Sequence, residues 1–550
     1  MRGATRLRWA VGVLAVGLTA AACGGGEDGG GSGSLSSGGS SGVVRASWGD
    51  PQNPLEPSDT NEVQGGKVLD LIFRGLKKYD PRTAKAENWV AQSVTSADAQ
   101  NFDIKLKSGW KFSNGEPVDA DSFMNAWNFG AALKNAQLNA PFFSYVDGYA
   151  KVHPTATGAK PTATTLSGLR KVSDLEFTVK LNQKFSLWPD TLGYSAFYPL
   201  PKAFFTDRAA WLRKPVGNGP YTISSYTRGS MMSLRKWNGY KGPDPARNKG
   251  VDLRVYTDNN TAYTDLQAGN IDLVDDIPAE QLKNVKGDLG SRYINQPAGI
   301  LQTIAFPLYS PRWSSANSAK VRQGLSMAID RATITDKIFQ HTRTPATDWT
   351  SPVLGASAGF KQGLCGAECT FDPAKARQLI KQGGGLPGGR ITLGYNADTG
   401  SHKVWIDAVC NSINNVLGNT KACVGAPTGT FADFRNKITN KQERDPFRSG
   451  WQMDYPLIQD FQQPLYFTNA SSNDTHYSSP AFDELVDQAN AESDPATAVT
   501  RFQDAERQLV KDMPAIPLWY QNGSAGFSSN LSDVALNPFS VPVYNEIKVK

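Results

Sequence analysis

The amino-acid sequence predicts an α/β fold made of two or three structural units, on three observations. Strand-like alternation and helix-like periodicity follow each other along the whole chain, which is typical of mixed α/β proteins. Segments rich in Gly and Pro, such as 215–221 and 242–249, separate these patterns. The 550 residues also exceed the roughly 100 to 200 residues that one domain usually contains.

Local patterns predict the individual elements in chain order. Apolar residues alternate over 102–106 and again over 175–181, as in half-buried strands. Asp119 can cap a helix whose apolar face carries Phe123 and Trp127. Longer helical stripes are predicted over 320–339, 373–381, 403–417, 481–491 and 496–511.

The N-terminus has the composition of an export signal. A basic start precedes an uncharged apolar run over 9–22, which is too short for a typical membrane-spanning helix. Three alanines then precede Cys23, a sequence similar to a bacterial lipobox. We predict a signal peptide over 1–22 and lipidation of Cys23. The alternative is a secreted protein in which this cysteine is not lipidated.

The residues after Cys23 are predicted to be a tether. Residues 24–42 are almost all Gly and Ser and cannot form a core. A flexible coil of this length spans about 25 Å, enough to hold a folded body clear of a membrane surface. We therefore assign 23–42 as a lipidated Gly/Ser tether, with the lipid as the predicted membrane anchor.

Charge and cysteine content narrow the functional classes. The formal net charge is +6, and the charges are scattered in both signs without a basic block, so nucleic acid is not a predicted partner. Four further cysteines in an exported chain predict disulfides, and their spacing favours Cys365 with Cys369 and Cys410 with Cys423. A zinc site is the alternative, but no histidine lies at a ligand spacing from these cysteines. We expect no metal and no cofactor.

Several short motifs carry a resemblance to a known family. They are Asn-Pro-Leu-Glu-Pro at 53–57, Leu-Ile-Phe-Arg-Gly-Leu at 71–76, Trp-Lys-Phe-Ser-Asn-Gly-Glu-Pro-Val at 110–118, Gly-Asn-Gly-Pro-Tyr at 217–221, Val-Arg-Gln-Gly-Leu-Ser-Met-Ala-Ile-Asp-Arg at 321–331, and Gly-Trp-Gln-Met-Asp-Tyr at 450–455. In this order, over almost all of 43–550, the chain resembles extracellular solute-binding protein family 5, the oligopeptide- and dipeptide-binding proteins of ABC importers. Within it, the chain looks most like the peptide-importing lipoproteins of filamentous actinomycetes.

The resemblance implies the architecture in more detail. The expected fold is two-lobed and periplasmic-binding-protein-like (type II), with an extra inserted subdomain. Lobe 1 would comprise 43–73, 201–296 and 518–550, the inserted subdomain 74–200, and lobe 2 297–517. The ligand would lie in the cleft that the two lobes close about a hinge.

The resemblance also implies the function. The expected protein is a monomer on the outer face of the cytoplasmic membrane that captures extracellular oligopeptides and delivers them to the permease subunits of an ABC importer. Another solute, such as an oligosaccharide, is the alternative, because the many Trp, Tyr and Phe residues would also suit stacking on sugars.

Candidate binding residues follow from the family motif around position 454. In the family, an aspartate three residues after a tryptophan pairs with the peptide's α-ammonium, and here these residues are Trp451 and Asp454. Arg448 stands where relatives carry an arginine that can reach a short peptide's carboxylate. The alternatives are a turn or capping role for Asp454 and a surface position near Asp445 for Arg448.

Two backbone segments are expected to hold the peptide as an added strand. The family position after the Leu-x-Pro motif falls on Asn61, Glu62 and Val63. The predicted start of the second lobe offers Gly299, Ile300 and Leu301, for which a strand through the hinge is an equally good interpretation.

The sequence does not predict an enzyme. The match Gly-Ala-Ser-Ala-Gly at 355–359 resembles a hydrolase elbow around Ser357, but the flanking residues predict a loop rather than a strand and a helix. A phosphate-binding Gly-x-x-x-x-Gly-Lys-Ser/Thr loop is not found, which fits a receptor that leaves ATP hydrolysis to other subunits.

Overall fold

The computed structural model describes residues 42–550 except 157, 316, 398, 399 and 471. The predicted signal peptide, Cys23 and nearly all of the predicted tether lie outside the described residues. None of the helices in the described part combines the length and the apolar character needed to cross a membrane.

Strands and helices alternate along the described chain, which confirms the mixed α/β class. The strands are β1 (Val43–Trp48), β2 (Lys77–Tyr79), β3 (Ala86–Asn88), β4 (Ala91–Thr95), β5 (Asn101–Leu106), β6 (Leu169–Ser173), β7 (Glu176–Lys180), β8 (Tyr221–Thr227), β9 (Met231–Lys236), β10 (Gly250–Val255), β11 (Leu273–Val274), β12 (Tyr293–Ala305), β13 (Arg343–Pro345), β14 (Ile391–Asn396), β15 (Cys423–Thr428), β16 (Phe447–Gln452), β17 (Ala515–Phe527), β18 (Leu531–Ser532) and β19 (Lys548–Val549). The helices are α1 (Val63–Ile72), α2 (Ala120–Ala131), α3 (Tyr149–Val152), α4 (Trp188–Thr191), α5 (Lys202–Thr206), α6 (Arg208–Arg213), α7 (Asn259–Gln267), α8 (Val285–Leu289), α9 (Ser318–Met327), α10 (Arg331–Lys337), α11 (Pro373–Gln382), α12 (Gly400–Leu417), α13 (Phe431–Thr439), α14 (Gln463–Tyr466), α15 (Pro480–Ala491) and α16 (Pro495–Asp512).

One large mixed sheet runs through the molecule and has two halves. Its order is β15-β14-β16-β12-β17-β11-β1-β10-β9-β8, with β13 also paired to β17. The first half-sheet consists of β11, β1, β10, β9 and β8, and it contains the parallel pair β1 and β10. The second half-sheet, β14 to β16, contains the parallel pair β14 and β15. The two long strands β12 and β17 join the halves.

The joining strands change register where they pass from one half to the other. β12 and β17 pair antiparallel from Tyr293 opposite Gly526 to Ala305 opposite Ala515, with an irregularity between Pro297 and Ile300. Beyond Ile300, β12 pairs with β16 on its other side. The predicted lobe boundaries at 296/297 and 517/518 lie within these two strands, and the domain limits stay a prediction.

A separate antiparallel sheet, β4-β5-β7-β6, lies in the region predicted as the inserted subdomain. Helix α2 packs on it and begins as predicted, because the Asp119 side chain accepts a hydrogen bond from the Ser122 backbone N–H at 2.9 Å. Trp127 is fully buried and contacts Phe177 edge to face, with ring centroids 5.7 Å apart. The apolar face inferred from the sequence is therefore this subdomain's core.

The Gly-Asn-Gly motif is explained by close backbone packing against the end of α1. A Cβ atom on Gly217 would lie 1.9 Å from the carbonyl oxygen of Ile72, so no other residue fits there. Gly219 donates its backbone N–H to the same oxygen at 2.7 Å. Between them, the buried Asn218 side chain bonds both the backbone N–H and C=O of Arg74, each at 2.9 Å.

Two expectations of detail had different outcomes. The single helix predicted over 320–339 is wrong: α9 ends at Met327, and α10 begins after Asp330, whose side chain caps it by accepting from the Thr333 N–H at 3.0 Å.

The predicted disulfides, by contrast, are confirmed. Cysteines 365 and 369 are bonded to each other, as are cysteines 410 and 423.

Candidate functional site

A cavity of about 270 Å³ lies where the first half-sheet, the inserted subdomain and the second half-sheet meet. Its walls come from the start of α1, the segment before α5, the segment that follows β16, and the C-terminal stretch before β19. The lining residues are Thr60, Asn61, Glu62, Val63, Gly66, Lys67, Asp70, Tyr79, Gly193, Tyr194, Ser195, Tyr198, Trp451, Gln452, Met453, Asp454, Phe539 and Val541.

One wall of the cavity is an incompletely paired strand. β16 pairs with β12 along its whole length, placing Trp451 opposite Leu301 and Gln452 opposite Ile300. On its other side, β16 pairs with β14 only at Phe447. The far end of β16 therefore has an edge, among the described strands, with backbone groups that another extended chain can pair with.

Asp454 lies just beyond this strand and is the cavity's most distinctive acid. Its side chain is half-buried, and among the described residues no cation lies within ion-pair distance of it. The Tyr194 hydroxyl of the inserted subdomain faces its carboxylate and interacts with it. Burial raises the pKa of Asp454 to about 7, and the interaction with Tyr194 offsets part of this rise.

Asp460 lies beneath Asp454 and fixes the turn. Its Oδ2 accepts from the Trp451 indole N–H at 3.0 Å and from the Asp454 backbone N–H at 2.9 Å. Asp460 is fully buried, and its Oδ1 has no hydrogen-bond partner. Burial, together with the charge of Asp454, raises its pKa well above the ordinary value.

The opposite wall is the N-terminus of α1. The Glu62 carboxylate caps this helix by accepting from the Gln64 N–H at 2.8 Å and the Gly65 N–H at 3.0 Å. The Asn61 side chain accepts from the Asn53 amide at 2.9 Å. Val63 is 40% exposed, an apolar side chain at the cavity wall.

A smaller chamber of about 80 Å³ continues the cavity inward. Asp70 lines both chambers and accepts from the Tyr198 hydroxyl at 2.8 Å. The cations that line the inner chamber are paired with carboxylates: Lys67 with Asp275 at 2.6 Å, Arg74 and Lys78 with Asp244 at 2.6 Å each, and Lys77 with Asp190 at 3.3 Å.

Contacts between the inserted subdomain and the second half-sheet's side hold the cavity closed beside Asp454. The Tyr145 hydroxyl donates to Gln463 Oε1 at 2.6 Å and accepts from the Asn490 amide at 3.1 Å. Phe142 of the inserted subdomain contacts Tyr455 edge to face, with ring centroids 6.2 Å apart. These side chains come from distant parts of the sequence, so the cavity's closed shape depends on tertiary packing.

The structure brings together some of the residues predicted from sequence. Trp451 and Asp454 lie across the same cavity from Asn61, Glu62 and Val63. Their roles in ligand binding stay predictions.

The structure does not bring the remaining predicted residues into the cavity lining. Arg448 donates from Nε to the Asn396 side chain at 2.6 Å and lies over the rings of Phe431 and Phe434. It is three residues from Trp451 on one strand, and an odd spacing places side chains on opposite faces. Gly299, Ile300 and Leu301 lie in the joining strand β12 and are not part of the cavity lining.

Sequence reasoning missed other residues of the site. Asp460 follows Asp454 by six residues in one loop, so a search for paired acids could have found it. Tyr194, Tyr198 and Phe539 reach the cavity only through tertiary folding, and no local pattern indicates them.

The hydrolase-like match is not arranged for catalysis. Residues 356–358 form one 3-10 turn, between Gly355 and Gly359, which both have positive φ. A nucleophile elbow needs a strand before the serine and a helix after it. Ser357 has neither.

Two half-sheets joined by two long strands, with a cavity between them, are the architecture of a two-lobed solute-binding protein. The chain belongs to the bacterial extracellular solute-binding proteins, family 5, whose middle-region model matches residues 85–473. Members of this family are binding proteins of transporters, found in the extracellular or periplasmic space.

Individual relatives are distant in sequence but similar over the full fold. The oligopeptide-binding protein OppA of Bacillus subtilis is 24% identical over 509 residues, which cover 88% of each chain. The murein tripeptide binding protein MppA of Escherichia coli superposes with a TM-score of 0.79 at 20% identity, covering 92% of this chain and 98% of its own. The Haemophilus influenzae OppA complex with RPPGFSPFR gives 0.78 at 19% identity, with coverage of 92% and 98%. The type II two-lobed fold is therefore confirmed.

Proposed function

We propose that this protein is the substrate-binding subunit of an ABC importer and captures extracellular oligopeptides in the cavity beside Asp454. The names of similar proteins support this ligand class, since they include an oligopeptide-binding and a murein tripeptide-binding protein. The fold supports a capture mechanism in which the lobes close on the ligand about β12 and β17.

The observation that carries the proposal is the unpaired carboxylate at the end of an unpaired strand edge. A free peptide brings both complements: an α-ammonium for Asp454 and backbone N–H and C=O groups for the edge of β16. Strand addition provides affinity without reading side chains, whereas the ammonium fixes where the peptide begins. A sugar would leave Asp454 without a counter-charge in a largely buried site, which is costly.

Calorimetry with trialanine and N-acetyl-trialanine tests this function. We expect trialanine to bind, and the acetylated form, which lacks the ammonium, to bind at least about 30-fold more weakly. Asp454→Asn should weaken trialanine by a similar factor, because a charge-assisted hydrogen bond is lost. Asp504→Asn, an exposed acid paired with Arg507, is the matched control and should leave the affinity unchanged.

A second arm separates the alternative ligand class. Maltotriose, titrated in parallel, should give no heat. Binding of maltotriose without binding of trialanine would overturn the peptide assignment while leaving the family and fold intact. Native mass spectrometry of protein purified without refolding would identify any ligand retained from the cell.

Membrane attachment and delivery form a further part of the proposal. Cys23 would carry the lipid that holds the protein on the outer face of the cytoplasmic membrane, and the permease subunits would accept the closed, loaded form. The actinomycete-type subgroup stays a prediction. Cys23→Ala is expected to move the protein from the membrane fraction to the medium; retention in the membrane fraction would contradict lipid anchoring.

A further inference from the structure

Asp460 is a buried acid whose role goes beyond holding a turn. One of its oxygens, Oδ2, accepts from the Trp451 indole and from the Asp454 backbone, so it positions both members of the Trp-x-x-Asp motif. The other oxygen, Oδ1, is buried without any hydrogen-bond partner. A fully ionised carboxylate with a bare buried oxygen is unfavourable, because nothing replaces the water it has lost.

The surroundings of the two acids contain no charge that compensates for them. Among the described residues, neither carboxylate has a Lys, Arg or His within 4 Å. The groups that face them include three phenols: Tyr194 interacts with Asp454, and the charges of both acids act on Tyr79 and Tyr455.

The rest of the cavity adds negative rather than positive charge. Glu62 and Asp70 line the same walls. The one lysine of this lining, Lys67, already pairs with Asp275 at 2.6 Å. Two neighbouring carboxyls in such a site do not both ionise readily, because each opposes the charge of the other. The negative charge of the pair can therefore be neutralised in two ways: by a proton, or by a cation that the ligand brings.

We propose that Asp454 and Asp460 form one acid pair that holds a proton while no cation occupies the cavity and releases it when an ammonium group binds, with Asp460 as the positioning residue beneath Asp454. The inference rests on the proposed function, since it takes the peptide's ammonium as the replacing cation. In this step a carboxyl O–H bond breaks and its proton passes to water in the open cavity. The carboxylate that remains accepts an N–H from the ammonium.

The proposal has a consequence for capture. Below the pH at which the pair loses its proton, ligand binding must expel that proton. The affinity for a free amino terminus should therefore fall about tenfold for each further decrease of one pH unit. Asn at position 460 keeps an acceptor oxygen for the Trp451 and Asp454 N–H groups but removes the second charge. Asp460→Asn should therefore fold normally and lose part of this pH dependence, because burial still raises the pKa of Asp454.

The first test needs no ligand. The indole N–H resonance of Trp451, assigned by its loss in Trp451→Phe, can be followed by nuclear magnetic resonance from pH 5 to pH 9. We expect it to shift with a midpoint between pH 6 and 8 in the wild-type protein and at a lower pH in Asp460→Asn, which lacks the charge of the second acid. A resonance that does not titrate, or the same midpoint in both proteins, overturns the proposal.

The second test counts protons. Trialanine is titrated calorimetrically at pH 6 in two buffers of different ionisation enthalpy, conditions in which its amino group, with a pKa of about 8, is charged. We expect close to one proton released per peptide bound to the wild-type protein and a smaller fraction in Asp460→Asn. Binding without proton release overturns the acid pair while leaving peptide capture intact.

Two further outcomes separate the pair from the proposed function. If the indole titrates as expected but trialanine does not bind, the acid pair is supported and the peptide assignment is contradicted. Asp460→Ala, which removes the acceptor oxygen as well, should lower the melting temperature. If Asn at position 460 restores the normal melting temperature but only Asp restores the pH dependence of binding, the positioning role of this residue is distinct from the role of its charge.

Discussion

Two carboxyl pairs on the side of the second half-sheet differ in the groups that surround their oxygens. Asp348 and Glu506 are both fully buried, and one oxygen of Asp348, Oδ2, has no hydrogen-bond partner, like Oδ1 of Asp460. Glu506 accepts from the Trp349 N–H at 2.7 Å and the Thr350 hydroxyl at 3.0 Å, and Asp348 accepts from the Tyr520 hydroxyl at 2.8 Å. We call this the sealed pair.

Asp454 and Asp460, which we call the open pair, are built differently. Asp460 uses one oxygen for the local turn, but Asp454 faces the cavity, where the Tyr194 hydroxyl lies close to its carboxylate. Burial alone therefore does not mark a functional acid. The sealed pair should influence stability, whereas Asp454 of the open pair should influence ligand affinity, and each prediction below tests that division.

The largest expected effect is on ligand affinity. Asp454→Ala should weaken trialanine binding about 100-fold or more, roughly 3 to 5 kcal/mol, because the peptide's ammonium would be buried without its partner. Its melting temperature should not fall, since the native protein offers this acid little compensation. Calorimetry and thermal melting measure the two quantities; unchanged affinity would show that the open pair does not bind the ligand.

Removing an acid of the sealed pair should have the opposite profile. Glu506→Ala leaves the Trp349 N–H, the Thr350 hydroxyl and the Gln462 amide without their acceptor, a loss of about 2 to 3 kcal/mol in the free energy of unfolding. Urea unfolding followed by circular dichroism measures it. Trialanine affinity should stay within twofold of wild type, and a large loss of affinity would break the division between the pairs.

The sealed pair also predicts a pH dependence of stability. Burial raises the pKa of Glu506 to about 7 and that of Asp348 to about 8, so the folded protein binds more protons than the unfolded chain above pH 4. The free energy of unfolding should therefore fall as pH rises from about 4 to 8. The free energy of unfolding of Glu506→Gln, relative to that of the wild-type protein, should rise by about 1 to 2 kcal/mol between pH 5 and pH 8. A constant difference would show that this acid does not hold a proton.

The smallest expected effects come from single phenol hydroxyls. Tyr194→Phe removes the donor to Asp454 and should weaken trialanine about three- to fivefold, close to 1 kcal/mol, with little change in melting. Tyr520→Phe removes the donor to Asp348 and should lower the melting temperature with unchanged affinity. Parallel measurement of both variants sharpens the comparison, and identical profiles would contradict it.

Sequence patterns predicted the local parts of this molecule well. The strand over 102–106 and the helix capped by Asp119 depend on neighbouring residues, so periodicity suffices to find them. The disulfides followed from short spacing. The break after α9 was not predicted, because the capping role of Asp330 competes with a continuous apolar stripe.

The site was predictable only where a motif carried it. Trp451 and Asp454 share a short motif, so their common location followed from their spacing. Tyr194 meets Asp454 across some 260 positions of sequence, and only the packing of the inserted subdomain sets that contact. Arg448 shares the motif's neighbourhood, but strand alternation turns it toward Asn396 instead.

The irregularity in β12 connects the joining strands with the ligand wall. Gly299 accepts the Met453 N–H at 2.9 Å and donates its own N–H to Pro538 at 2.7 Å. A Cβ atom at this glycine would lie 2.3 Å from the Met453 sulfur, so the Met453 side chain packs directly on the glycine backbone. In the proposed closure about β12, movement of this strand would therefore carry Met453, the residue next to Asp454, with it. A change in the angle between the lobes would then also change the position of the carboxylate proposed to hold the ammonium.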